Sequence, residues 1–154
     1  MSAVPQVAVP THSATGAVMR ICVPNEAGQG ERRVALVPES AGRLVKAGHE
    51  VVVEQGAGAG AGFDDAAYEA AGARVEPDRG KVLGDGDVVL TVRQLPAADV
   101  ALLPSGGAQI GMLKPLTSIP EMQALAERGV RALAMELVPR ITRAQKMDVL
   151  SSQA

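Results

Sequence analysis

Residues 50–76, EVVVEQGAGAGAGFDDAAYEAAGARVE, decide the fold. Three consecutive valines, Val51–Val53, are too few for a buried helix. They have the β-branched composition of a strand covered on both faces. A glycine-rich connection follows, Gly56–Gly62. Then comes a short helical pattern with Asp64 or Asp65 as its N-cap and Gly72 as its stop. ARVE (Ala73–Glu76) is a second, short strand. Strand, helix and strand in 27 residues argue for parallel neighbours, because parallel strands need a crossover of a dozen or more residues, usually a helix, and a hairpin does not.

The same alternation extends in both directions. Upstream, MRICVP (Met19–Pro24) is a strand, and PESAGRLVKAGH (Pro38–His49) is a helix with proline in its first turn and Gly48 at its end. Downstream, GDVVLTV (Gly86–Val92) is a strand, Pro96–Leu103 a short helix, Ala108–Leu113 a strand, Ile119–Arg128 a helix stopped by Gly129, and Val130–Met135 a strand. The expected fold class is α/β: a doubly wound, mainly parallel sheet of about six strands with helices on both faces, Rossmann-like or flavodoxin-like. Residues 1–18, rich in Pro, Ser, Thr and Ala, read as a disordered leader, with Met19 a candidate start. Residues 19–138 read as the α/β domain. Residues 139–154 read as the beginning of a further loop and linker helix that stops without a helix-ending signal.

Composition narrows the function. The chain of 154 residues is 47% hydrophobic and 21% charged with a formal charge of −2, and Phe63 and Tyr68 are its only aromatics. No basic block and no stacking aromatics are present, so nucleic acid is not an expected partner. Cys22 lies in an apolar run and reads as a small buried hydrophobe. One cysteine with His12 and His49, far apart in sequence, gives no metal-ligand spacing, and no metal site is expected. No apolar run approaches the ~18 residues needed to span a bilayer.

Gly56, Gly58 and Ala61 fit a G-x-G-x-x-A dinucleotide fingerprint, and Glu76 ends the next strand where such a motif wants an acid for ribose. The following helix argues against that reading. A pyrophosphate needs free amides and the positive end of a helix dipole. Asp64 and Asp65 cap those amides and repel phosphate, so the loop reads as a connection that uses glycine for its dihedral freedom.

Three segments carry a family resemblance: ERRVALVPE (Glu31–Glu39), AGHEVVVEQGAGAGAGFDDAAYEAAGA (Ala47–Ala73) and AMELVPRITRAQKMDVLSSQA (Ala134–Ala154). They resemble the N-terminal part of the alanine dehydrogenase / pyridine nucleotide transhydrogenase family. PRITRAQKMDVLSSQ is similar to the transhydrogenase branch, which reads close to P-R-I-[ST]-R-A-Q-x-M-D-x-L-S-S, a stretch that alanine dehydrogenases lack. Within that branch the chain resembles most the alpha, NAD-binding, subunit of a proton-translocating NAD(P) transhydrogenase, truncated before its dinucleotide-binding domain.

The resemblance implies half of an NAD(H) site in a cleft between two α/β domains. It implies hydride transfer between NADH and NADP coupled to proton translocation, with NADP(H) held on a partner domain. Expected partners are the missing C-terminal NAD-binding domain, the membrane and NADP-binding subunits, and a second copy in a homodimer. The expected place is cytoplasmic, peripheral to the membrane through those subunits, and the fragment is expected to be inactive alone. Matched by motif position, Arg140, Gln145, Asp148 and Ser151 surround the nicotinamide end of NAD(H), and Gln145 is the candidate catalytic residue. From pattern alone Arg140, Gln145 and Asp148 fit the solvated face of an amphipathic helix with Ile141, Ala144, Met147 and Leu150 behind it.

Departures from the other branch are as informative. Alanine dehydrogenases use a substrate-binding arginine, a lysine and a catalytic histidine. Arg33 matches the first, Arg93 stands at the lysine and Lys114 at the histidine. Without that imidazole, amino-acid oxidation lacks its proton carrier. Arg33 therefore reads as structural, paired with a nearby carboxylate, and His49 beside Gly48 reads as a helix-end or surface residue. The readings that compete with a transhydrogenase subunit are an alanine-dehydrogenase-like amino-acid oxidoreductase and a non-catalytic α/β interaction module.

Overall fold

The structure, a computed structural model, describes residues 16–139. The leader reading for residues 1–15 and the site reading for residues 140–154 lie outside them.

Six strands form one sheet: β1 (Arg20–Val23), β2 (Glu50–Glu54), β3 (Arg74–Glu76), β4 (Val88–Arg93), β5 (Ala108–Met112) and β6 (Arg131–Ala134). Their order is β3-β2-β1-β4-β5-β6, and every pairing is parallel. That order is the Rossmann one, which settles the choice between Rossmann-like and flavodoxin-like. The register Cys22↔Val52 and Cys22↔Val89 stacks small and β-branched residues across the centre.

Five helices connect the strands: α1 (Pro38–Lys46), α2 (Asp65–Ala70), α3 (Arg79–Gly84), α4 (Ala97–Val100) and α5 (Ile119–Arg128). Period-2 alternation sends the strand residues to two cores. Cys22, Val52 and Val89 meet Val82 and Leu83 of α3, Val100 of α4 and Leu125 of α5. On the other face Val23, Val51 and Val53 meet Ala41 of α1 and Tyr68 of α2. Tyr68 is fully buried, and its hydroxyl donates to the Leu36 carbonyl at 2.8 Å, so the buried ring keeps its polar end satisfied.

Two departures from the sequence reading have local causes. Helix α3 is not signalled by the sequence, because Gly80 and Gly84 weaken RGKVLG as a helix. It forms because the Asp78 side chain accepts from the Lys81 amide at 3.2 Å and because Val82 and Leu83 are buried. Helix α4 covers only the middle of the Pro96–Leu103 segment. The glycine connection is also more constrained than a flexible loop. A Cβ on Gly58 would lie 2.7 Å from the Tyr68 ring, and one on Gly60 would lie 3.0 Å from the Arg32 carbonyl oxygen. Gly56 and Gly62 take positive φ.

Candidate functional site

In a sheet of this order the strand direction of travel reverses between β1 and β4, and ligands of such folds bind outside the carboxyl ends of those strands. Here the position is filled from within. Glu26, three residues beyond β1, is buried, and its carboxylate accepts the amides of Val92 at 2.7 Å and Arg93 at 2.8 Å at the end of β4. Burial pushes the Glu26 carboxyl above its ordinary range, outweighing the two amides that favour the anion.

Beside it Glu31 gathers two arginines. One oxygen accepts from the Arg33 Nε at 2.9 Å and the Arg33 amide at 3.0 Å. The other accepts from the Arg93 Nε at 2.7 Å. The Glu31 side chain is buried, while both guanidiniums are about half exposed. The Arg33 hydrogen bond, opposed by burial and joined by Arg93, holds its carboxyl down at about 2. Arg33 thus has the carboxylate partner expected of it. The signal was available in the sequence, since residues two apart in an extended segment point the same way.

The sign of the pH effect follows. A carboxyl depressed from 4.5 to about 2 contributes stability that is present above 4.5 and lost as pH falls toward 2. Glu26 works the other way: its raised carboxyl favours the fold on the acid side and loses that contribution as pH rises through its folded value. Half-exposed arginines reduce the worth of the Glu31 cluster to about 2 kcal/mol. Glu31→Gln is expected to lower the unfolding free energy by that amount at pH 7, with the gap to the wild type closing between pH 4.5 and 2. Urea titrations across that range check it, and a gap independent of pH would contradict the assignment.

A third cluster ties three strand ends together. Arg79, at the start of α3, donates to Glu54 at 2.7 Å, to the Asn25 carbonyl at 2.9 Å and to Asp99 of α4 at 2.7 Å. The acids that sequence reasoning passed over, Glu26 and Glu54, share this carboxyl edge of the sheet with Glu31. At the far end of β5, Lys114 occupies a left-handed conformation with φ 46. His49 is nowhere near: its Nδ1 accepts the Met19 amide at 3.3 Å, at the opposite, amino end of β1.

Next to these charges lies an apolar groove of about 450 Å³, lined among others by Arg33, Val34, Leu90, Val92, Ile110 and Met112. Helices α1 and α2 cover the β1–β2–β3 side of this face, and the groove is the part over β4 and β5 that they leave open.

The glycine connection presents few amides to a ligand. Gly56 donates to the Asp65 carboxylate at 2.8 Å, and the amides of Ala57, Ala59, Ala61, Gly62 and Phe63 are bonded within the loop or to the end of β2. Asp64 caps α2 by accepting from Ala67 at 2.9 Å. Every other helix start also carries an acid in its first turn or at its cap: Glu39, Asp78, Asp99 and Glu121. Among the described residues no group of three or more His, Cys, Asp or Glu can hold a metal ion, and no helix is long and apolar enough to cross a membrane.

The model of the alanine dehydrogenase/PNT N-terminal domain family matches residues 22–154. The chain belongs to this family. Within the alanine dehydrogenase/PNT family it is 45% identical over 117 residues to an NAD(P) transhydrogenase alpha-subunit chain of Rhodospirillum rubrum, covering 73% of this chain and 30% of that protein. It is 40% identical over 95 residues to the alanine dehydrogenase of Halomonas elongata, covering 62% of this chain and 26% of that one. The crystal structure of transhydrogenase from Sinorhizobium meliloti superposes with a TM-score of 0.82 at 42% identity, over 87% of this chain and 40% of that one. An L-alanine dehydrogenase superposes at 0.76 with 34% identity, over 81% of this chain and 34% of that one. The chain therefore spans less than half the length of these relatives, and both branches of the family are near it. The expected family and fold class hold.

Proposed function

We propose that the chain is the N-terminal portion of the NAD(H)-binding subunit of an NAD(P) transhydrogenase, working in hydride transfer between NADH and NADP coupled to proton translocation. One observation favours this branch over amino-acid oxidation. The carboxyl end of β5 offers the amine of Lys114, and the described histidine, His49, lies at the other end of the sheet. Oxidising an amine or hydroxyl requires a group to take its proton. Hydride transfer between two nicotinamides requires only that two rings be held in contact. Arg33 and Arg93, both bonded to Glu31, are also less free to receive a substrate carboxylate.

In this reading a bound nicotinamide nucleotide supplies the hydride, and the chain's residues hold and orient it. Arg140, Gln145, Asp148 and Ser151 supply donors and acceptors for the carboxamide and ribose. Gln145, with a donor and an acceptor on one amide, would be able to touch both NADH and the partner nucleotide. The pyrophosphate is held by a C-terminal dinucleotide-binding domain, and NADP(H) by a partner domain. The assembly is a homodimer of this subunit with membrane and NADP-binding subunits, on the cytoplasmic side of the membrane. The chain alone is inactive.

The test is a chimera in which this chain replaces the matched N-terminal portion of the Rhodospirillum rubrum subunit, assembled with that enzyme's other components. It should transfer hydride from NADH to an NADP analogue in stopped flow. Gln145→Asn should lower that rate at least tenfold, about 1.4 kcal/mol, with NADH affinity almost unchanged. Arg140→Ala should weaken NADH binding as well. A chimera that binds NADH but transfers no hydride, or that oxidises alanine, overturns the reading. A normal rate in Gln145→Asn returns that residue to a solvated helix face.

A further inference from the structure

The ladder between β1 and β4 is short. It pairs Ile21 with Val88 and Cys22 with Val89, whereas the ladder between β1 and β2 runs on to Val23 and Val53. Beyond Cys22 a side chain joins β1 to β4 instead. The loop after β1 is tied to the end of β2 through Asn25, whose amide donates to the Glu54 carboxylate at 2.6 Å and whose Nδ2 donates to the Gln55 carbonyl at 3.1 Å. It is tied to the end of β4 through Glu26, whose two oxygens accept the Val92 and Arg93 amides. One titratable group thus closes the crevice at the point where the strand order reverses.

The charged groups about Glu26 are Glu31, which repels its anion, and Arg79, which favours it. Arg33 also feels its charge, Arg93 is bonded to Glu31, and Arg79 is bonded to Glu54 and Asp99. Burial outweighs the two amides and Arg79, so Glu26 takes up its proton above the ordinary 4.5. Glu31, held down at about 2 by Arg33, stays ionised through that range.

Only the ionised carboxyl has good acceptors on both oxygens. Once protonated it keeps one, and its hydroxyl must donate. One amide is then released. The Val92 bond is buried and the Arg93 bond partly exposed, so freeing the Arg93 amide to water costs less than leaving that of Val92 bare. We propose that Glu26 is a pH-sensitive latch on the β1–β4 crevice: ionised, it holds both amides and keeps the crevice shut, and protonated, it lets the Arg93 amide go. The latch is independent of which branch of the family the chain works in.

A pH titration of the 154-residue chain by nuclear magnetic resonance tests it. The Glu26 carboxyl carbon and the Arg93 amide proton should titrate with one shared midpoint above 4.5. Below that midpoint, Arg93 amide exchange, corrected for its intrinsic pH dependence, should quicken at least tenfold, while the Val92 and β1 amides change less than threefold. In Glu26→Gln, which also keeps a single carbonyl acceptor, Arg93 should exchange fast at every pH and its midpoint should vanish. An Arg93 amide that stays protected while Glu26 titrates overturns the latch. So does a Glu26 midpoint at or below 4.5, or an Arg93 midpoint that survives in Glu26→Gln. Loss of β1 protection at the same midpoint means that the sheet unfolds rather than unlatches, and overturns it too. If Glu26→Gln does not fold, the wild-type titration decides alone.

Discussion

Gly111→Ala should lower the melting temperature of this chain by roughly 10 °C, a loss of about 3 kcal/mol at the upper end of overpacking costs. Gly111 lies in β5, opposite the point where the β4–β5 register shifts between Leu90 and Arg93. The shift is a bulge, and a bulge brings backbone over its partner strand. A Cβ on Gly111 would stand 2.6 Å from the Thr91 hydroxyl, 3.1 Å from the Thr91 carbonyl carbon, and closer still to its oxygen. Most of what it meets is backbone, so a rotamer change cannot relieve the clash. Moving Thr91 would also break the buried hydrogen bond that Gln109 donates to its hydroxyl at 3.0 Å. Gly28→Ala is the control, since its Cβ would meet nothing within 4 Å and its φ is not in the positive range. A Gly111→Ala protein that melts within two or three degrees of Gly28→Ala, by calorimetry, would show that the β4–β5 contact relaxes freely.

The sheet was legible because its information is local. Val51–Val53 and the run at Val88–Val92 are strands on composition and length, and each connection between strands is too long for a hairpin. What could not be read locally is what the carboxyl edge does with its acids. Glu26 bonds to amides 66 and 67 residues away, and Glu136 to amides 23 and 22 residues away. A loop acid whose partner is a distant backbone amide leaves no pattern in the chain, because any residue there supplies the same N–H. Helix α3 was hidden for a related reason. Its two glycines argue against a helix locally, whereas Arg79 is held by three partners that only the fold brings together. Glu31 was the exception, being within two residues of Arg33. Arg140, Gln145, Asp148 and Ser151 were legible only through the family motif, since their chemistry alone fits a solvated helix face equally well.

If the chain forms half of a nucleotide site as proposed, the edge chemistry also sets its strength. The isolated 154-residue chain should bind NADH at least a thousandfold more weakly than the chimera, a difference of about 4 kcal/mol, and should catalyse no hydride transfer. A dinucleotide gains much of its affinity from its pyrophosphate, which wants bare amides at a helix start. Each of the five helix starts in the described residues carries an acid there. Those acids satisfy or oppose the positive end of the dipole. The glycine connection gives its Gly56 amide to Asp65, and the crevice between β1 and β4 is bridged by the Glu26 carboxylate. A phosphate approaching one of these helix starts would meet negative charge where it needs donors. In the proposed reading Arg140, Gln145, Asp148 and Ser151 hold only the nicotinamide end, which would not make up that loss. Titration calorimetry of NADH into the chain and into the chimera measures the difference directly. Micromolar binding by the chain alone would mean that one of these acid-bearing helix starts accepts a phosphate after all, and the assignment of the pyrophosphate to another domain would fall.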